Sequence, residues 1–193
     1  MSQPDHITAL NISLPDREDL PKNVQKYLNK CNEKLGMVPN VLLAYTQNID
    51  QFDAFSTFYN TIMFGKSSSL TPLEKEMIAV VVSSRNHCYY CLVAHGAAVR
   101  EYSENPILGE LMVMNYKAAT LSKRHRAMLD FAVKLTDTVD SIGETERQVL
   151  RDAGFNEQDI WDIANVTGFY NMTNRVASAV DMQPNIEYHK QNR

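Results

Sequence analysis

At 193 residues the chain is long enough to bury a hydrophobic core, as one domain or a tightly fused pair, and its 44% hydrophobic and 22% charged content is that of a soluble globular protein. A formal net charge of -4 argues against a general nucleic-acid binder, which presents a basic surface. No apolar run approaches the roughly 20 residues that cross a bilayer; the longest, Met77 to Val82, has six. With no basic segment leading into an apolar one near Met1, no membrane association and a cytoplasmic location are the expectation.

Seven prolines and seven glycines punctuate the sequence without any low-complexity tract. Strand-like alternation is scarce and most segments repeat apolar residues at helical spacing, so the predicted fold class is all-α. Residues 1–20 read as an extended N-terminal arm, and 21–193 as a single all-α domain. Pro21 can open a helix that ends near Gly36. Cys31 on that helix reads as an ordinary packed thiol. Asn40 is positioned to cap a helical region running to about Phe64, with a break near Asn48, and Gly65 to Ser69 form a loop.

Thr71-Pro72-Leu73-Glu74 is a helix start in its own right, with Thr as N-cap, Pro at the first position and Glu where a capping box wants it. That helix should run to about Asn86, with Glu74 and Lys75 in an exposed first turn. Another should pass through Cys88 and Cys91 to about Tyr102. Shorter helices are predicted near 106–117, 123–138 and 144–153, the second opening on a solvated basic cluster, Lys123-Arg124-His125-Arg126. The last long helix starts after Asn156 and reaches about Val180. A faint repeat at an offset of 51 relates Leu70-Thr71 and Met77–Val82 to Leu121-Ser122 and Met128–Val133. It implies two related helical-hairpin units, of which only the first carries thiols.

The chemistry-bearing stretch is Cys88-Tyr89-Tyr90-Cys91-Leu92-Val93-Ala94-His95. If it is helical, spacings of three and four set two thiols and an imidazole on one face. A thiol becomes a good nucleophile only as a thiolate, which a nearby base or helix N-terminus favours, and a second thiol can then capture the oxidised first as a disulfide. Zinc binding by half a site, or two packed thiols, are the plainer alternatives; structural zinc normally takes four ligands and the chain has one Cys pair. Glu76 enters the apolar run with Ala79, Val80 and Ser83 on its side of the helix. A buried carboxylate needs a partner. An Arg or a helix end would serve, and so would His95, whose imidazole a carboxylate would orient.

Glu76, eleven residues, Cys88-x-x-Cys91, three residues, His95 resembles the core of the AhpD-like alkylhydroperoxidase family within the carboxymuconolactone decarboxylase superfamily. The context from Leu70 through Gly96 resembles its peroxidase-related branch, and the likeness continues through Leu121–Thr136 and from Gly154-Phe155 to about Pro184. The resemblance implies an all-α, AhpD-like bundle of helical hairpins assembled as a trimer or hexamer. It implies reduction of a small-molecule hydroperoxide by the thiol pair, with no cofactor or metal and with an external dithiol as reductant. On that basis Cys91 is the attacking thiol, Cys88 the resolving thiol, and Glu76 with His95 the proton relay. Better-known members carry a histidine just before the second cysteine, where this chain has Tyr90, a hydrogen-bond donor with an ordinary pKa of about 10 and so a poor base. His87, four residues before Cys91, would serve as an auxiliary base if the helix began early enough; otherwise it is an exposed histidine at a helix junction. The rival functions are a decarboxylase-type enzyme on the same fold, which needs no thiol pair, and a non-enzymatic redox switch. Trp161, Tyr170, Asn171 and Asn174 share the last helix at spacings that allow them to line a pocket above the thiols, although such mixtures more often form core and interface.

Overall fold

The computed structural model describes residues 3–193, and among them nine α-helices and no strand are present. An extended arm leads through a 3-10 turn at Arg17–Asp19 to α1 (Lys22–Leu35), which Pro21 opens and Gly36 closes in the left-handed conformation. The expected 40–64 region is two helices, α2 (Asn40–Tyr45) and α3 (Ile49–Phe64), with Asn48 capping the second through the Gln51 amide. Asn40 is the first helical residue and not the cap. Its carboxamide donates to the Gln183 carbonyl and its amide to Asn185 Oδ1, which ties α2 to the C-terminal segment.

The centre of the protein is α4 (Pro72–Arg85), whose residues Met77 to Val82 have no exposed surface at all. It packs against α5 (Tyr89–Ser103), α6 (Pro106–Asn115), α7 (Lys123–Asp137) and α9 (Glu157–Ala179), while α8 (Glu144–Asp152) lies against α7. The α4–α5 and α7–α8 pairs are the two hairpins that the repeat implies, and they meet through α4 and α7. Where α5 and α6 cross, a Cβ on Gly109 would collide with the Arg100 side chain, so close approach requires glycine there.

Burial overturns two expectations at the hairpin junction. Glu74 and Lys75 are both buried, because the first turn of α4 is covered by α7 and by the loop before it. Glu74 closes the capping box with Thr71 and also accepts from Arg124 Nε at 2.8 Å; Lys75 donates to the Gly65 carbonyl. The basic cluster at 123–126 is likewise not simply solvated. Arg124 reaches the buried carboxylate, and Arg126 donates to the carbonyls of Tyr116, Lys117 and Ala119.

The arm runs across the segment after α9. The Ala9 amide donates to the Val180 carbonyl and the Gln183 amide to the Ile7 carbonyl, while His6 contacts Asp181 at 2.9 Å. Ile7 therefore packs on the cluster that contains both Cys88 and Cys91. Cys31 is half-buried on α1 beside a separate cluster of Val24, Leu28 and Phe52.

Replacing Thr71 by Ala removes the cap of the central helix, and its cost should be about 1 kcal/mol. Calorimetry should show a Tm lowered by about 2–4 °C, the scale for a chain of this size.

Candidate active site

Three helices contribute side chains to one region, largely buried and open at Ser178. From α4 come Glu76 and Ser83, two turns apart on one face; from α9 come Tyr170, Asn174 and Ser178, spaced by four. The third helix, α5, supplies Cys91 and His95. Cys88 is not itself helical: it is the N-cap of α5, and Cys91 stands three positions on. The two thiols thus occupy the places that the partners of a capping box occupy, which brings their side chains together at the positive end of the helix. Both are free thiols, with Cys88 1% and Cys91 4% exposed.

Glu76 finds its partner in His95, whose Nδ1 lies 2.7 Å from Oε2. A carboxylate at that distance holds the proton on Nδ1 and leaves Nε2 as the ring's free nitrogen, able to accept a proton. Around it a carboxamide network fixes α4 to α9. Asn174 donates to Ser83 Oγ at 3.0 Å and accepts from Asn86 at 2.9 Å, and Ser83 donates to the Ala79 carbonyl.

The two sulfurs share one proton unequally. Cys88 is drawn down to about 6, first by the Cys91 thiol beside it, with the Cys91 amide, the Ser178 hydroxyl and the nearby His95 adding to the effect and burial opposing it. The Cys91 amide stops short of a full cap hydrogen bond, so the neighbouring thiol is the leading cause. Cys91 is pushed well up, because its proton is held by the Cys88 sulfur and because it is buried; Asn174 and Ser83 pull the other way. Of the two sulfurs, Cys88 is therefore the one whose surroundings favour the thiolate.

Of the other residues singled out by sequence, Tyr90 is buried and its oxygen accepts from the Val41 amide at 3.1 Å, which pins α5 to α2. His87 lies outside the helix, exposed, in the turn after α4 with φ 52°, so the four-residue spacing to Cys91 does not bring the two together. Trp161 is 66% exposed, and Asn171 is engaged by Asn86, Thr136 and Arg175. Tyr170 and Asn174 do reach the site: the Tyr170 ring stands edge-on to His95 with centroids 4.7 Å apart. Ser178 and Asn86 were given no role by sequence. The one available signal for Ser178 was its place four residues after Asn174.

Among the described residues no group of three or more His, Cys, Asp or Glu side chains is placed to hold a metal ion, and no helix is long and apolar enough to cross a membrane.

Alkylation by iodoacetamide, followed residue by residue with mass spectrometry, should rise with pH through a midpoint of about 6 at Cys88. The rate should level off above that midpoint, since only the thiolate reacts. In Cys91→Ala the midpoint should move up, because the leading source of the depression is gone.

The sequence profile described as the carboxymuconolactone decarboxylase family matches residues 50–107, a span that holds Glu76, Cys88, Cys91 and His95. A solved peroxidase-related protein from Silicibacter sp. TM1040 is 59% identical over 100% of both chains, with a TM-score of 0.95. Another, from Ralstonia eutropha JMP134 and described as an alkylhydroperoxidase AhpD core, is 36% identical over 100% of this chain and 98% of that one, with a TM-score of 0.92. The debrominase Bmp8, solved in complex with 2,3,4-tribromopyrrole, shares the fold at 20% identity and a TM-score of 0.79, over 94% of this chain and 95% of its own. No curated protein sequence matches. With its whole length aligned at this identity and the family profile covering the thiol helix, the chain belongs to the AhpD-like, peroxidase-related branch of the carboxymuconolactone decarboxylase superfamily.

Proposed function

We propose that this protein is a thiol-dependent peroxidase that reduces organic hydroperoxides through the Cys88–Cys91 pair. The observation that carries this is a pair of free, buried thiols at the N-cap and third position of α5, with an imidazole one turn further on held by a carboxylate at 2.7 Å. In the cycle we infer, the proton passes from Cys91 to Cys88 and the Cys91 thiolate attacks the peroxide. An S–O bond forms, the O–O bond breaks, and the leaving alkoxide takes a proton to become an alcohol. Cys88 then loses its proton to His95 Nε2 and attacks the Cys91 sulfenic acid, forming the disulfide and releasing hydroxide, which is protonated to water. The sum is one singly protonated dithiol, one hydroperoxide and one solvent proton giving disulfide, alcohol and water.

The surroundings support an organic substrate. A groove of about 520 Å³ lined by Tyr45, Phe55, Phe58, Phe169 and Met172 shares Ala44, Val180 and Met182 with the apolar cluster around the thiols. An external dithiol would regenerate the pair, in a cytoplasmic setting that keeps such donors reduced, and the chain would assemble as a trimer or hexamer.

Counting free thiols before and after one equivalent of cumene hydroperoxide checks the cycle. Wild type should lose two of its three thiols and keep Cys31. Cys88→Ser should lose one and yield a sulfenic acid that dimedone traps at Cys91, whereas Cys91→Ser should lose none. Wild-type consumption by Cys91→Ser would make Cys88 the attacking sulfur.

A further inference from the structure

Tyr170 is 1% exposed, and among the described residues its hydroxyl is one of two buried side-chain oxygens without a hydrogen-bond partner. The other, Ser68 Oγ, belongs to the loop before α4. A buried hydroxyl with no partner is destabilising, and a phenylalanine of the same shape would avoid that cost. The chain therefore keeps this oxygen against its own stability, at a position where three helices converge. One edge of the ring meets His95 and another meets Phe169, with centroids 5.4 Å apart and planes at 90°. The groups near enough to resist ionisation of the phenol include Glu76 and Cys91, after burial itself, so it stays protonated and remains a donor. Glu76 Oε2 is engaged by His95, and the polar groups beside Cys91 are Asn174 and Ser83. The Tyr170 donor is thus uncommitted, on a ring set against His95, one turn along α5 from the sulfur that the proposed cycle makes the nucleophile.

We propose that Tyr170 is a catalytic residue of the dithiol centre, its hydroxyl donating a hydrogen bond to the oxygen that departs when the Cys91 sulfur attacks a hydroperoxide. This rests on the peroxidase function proposed above and adds to it a donor for the leaving group. As the O–O bond breaks, the electron pair stays on the alkoxide oxygen. A preorganised donor in a buried site stabilises charge that develops only in the transition state. The phenol keeps its own proton throughout, and the proton that completes the alcohol is the solvent proton of the balanced cycle. His95, held by Glu76, stays available for the second step.

The test is Tyr170→Phe in the full chain, read in single-turnover reactions of the reduced protein. Its Tm should be unchanged or higher, since an unpaired hydroxyl is removed. Disulfide formation with tert-butyl hydroperoxide should slow by about 100-fold, the scale for losing one oxyanion donor. With peracetic acid, whose carboxylate leaves readily without help, the loss should be much smaller. Reduction of the preformed disulfide by dithiothreitol, which expels a thiolate and no alkoxide, should stay within about twofold of wild type, because that step makes no use of an oxyanion donor. Equal rates for variant and wild type with tert-butyl hydroperoxide would overturn the role of Tyr170 and leave the dithiol cycle standing. A slowing of the same size with both oxidants and with dithiothreitol would overturn it too, marking a structural residue. A wild-type chain that loses no thiols to any hydroperoxide would remove the cycle and the donor together.

Discussion

Six consecutive residues of α4 expose no surface, so the polar side chains buried beside them, Glu74, Lys75, Glu76 and Ser83, must find their partners inside the protein. An unpaired carboxylate in such surroundings would cost several kcal/mol or take up a proton, on the order of what burial of a lone charge demands. The partners come from all the neighbours. Glu74 is met by Thr71 and Arg124, Glu76 by His95, and Ser83 by Asn174 and the carbonyl of Ala79. Because the bonds from Arg124, His95 and Asn174 come from three different helices, satisfying one helix fixes the relative placement of α5, α7 and α9. The chemistry occupies a site that the packing of α4 would have had to make polar in any case.

The thiol pair shows how a short turn can prepare a sulfur. Three residues, Asn86 to Cys88, reverse the chain between α4 and α5, with His87 in the left-handed region, where non-glycine residues are uncommon. The reversal leaves Cys88 at the mouth of α5, where the unpaired amides of the first turn favour negative charge. Burial opposes ionisation of both sulfurs, yet one shared proton lets a single charge form, and the local donors decide where it rests.

The fold was legible because its signals are local. The Thr71–Glu74 capping box, Gly36 as a helix stop, the break near Asn48, Asn156 at the head of the last helix, and the repeat of apolar residues at helical spacing all act within one or two turns. The spacing of Cys88, Cys91 and His95, with Glu76 on the face that also carries Ser83, likewise marked out the site. What sequence reasoning missed depends on contacts between distant segments. The first turn of α4 looks exposed until α7 is laid over it, and Arg124 looks solvated until it meets Glu74. The place of Cys88 at a cap, and not within the helix, turns on where α5 begins, and a boundary of one residue moved His87 out of reach. Ser178 enters only because α9 is long enough to bring its last turn beside Cys88.

That length has a mechanical side. With 23 residues α9 spans about 34 Å, and its two ends are fastened to different parts of the protein. Near the start, the buried carboxylate of Asp159 accepts from the Ser69 amide at 2.7 Å and from its hydroxyl, gripping the loop that leads into α4. Near the finish, Asn174 and Ser178 stand beside the sulfurs. A helix changes its length very little, so α9 works as a measuring rod between that loop and the thiols: sliding it at the Ser69 end displaces the carboxamide at the other by the same distance.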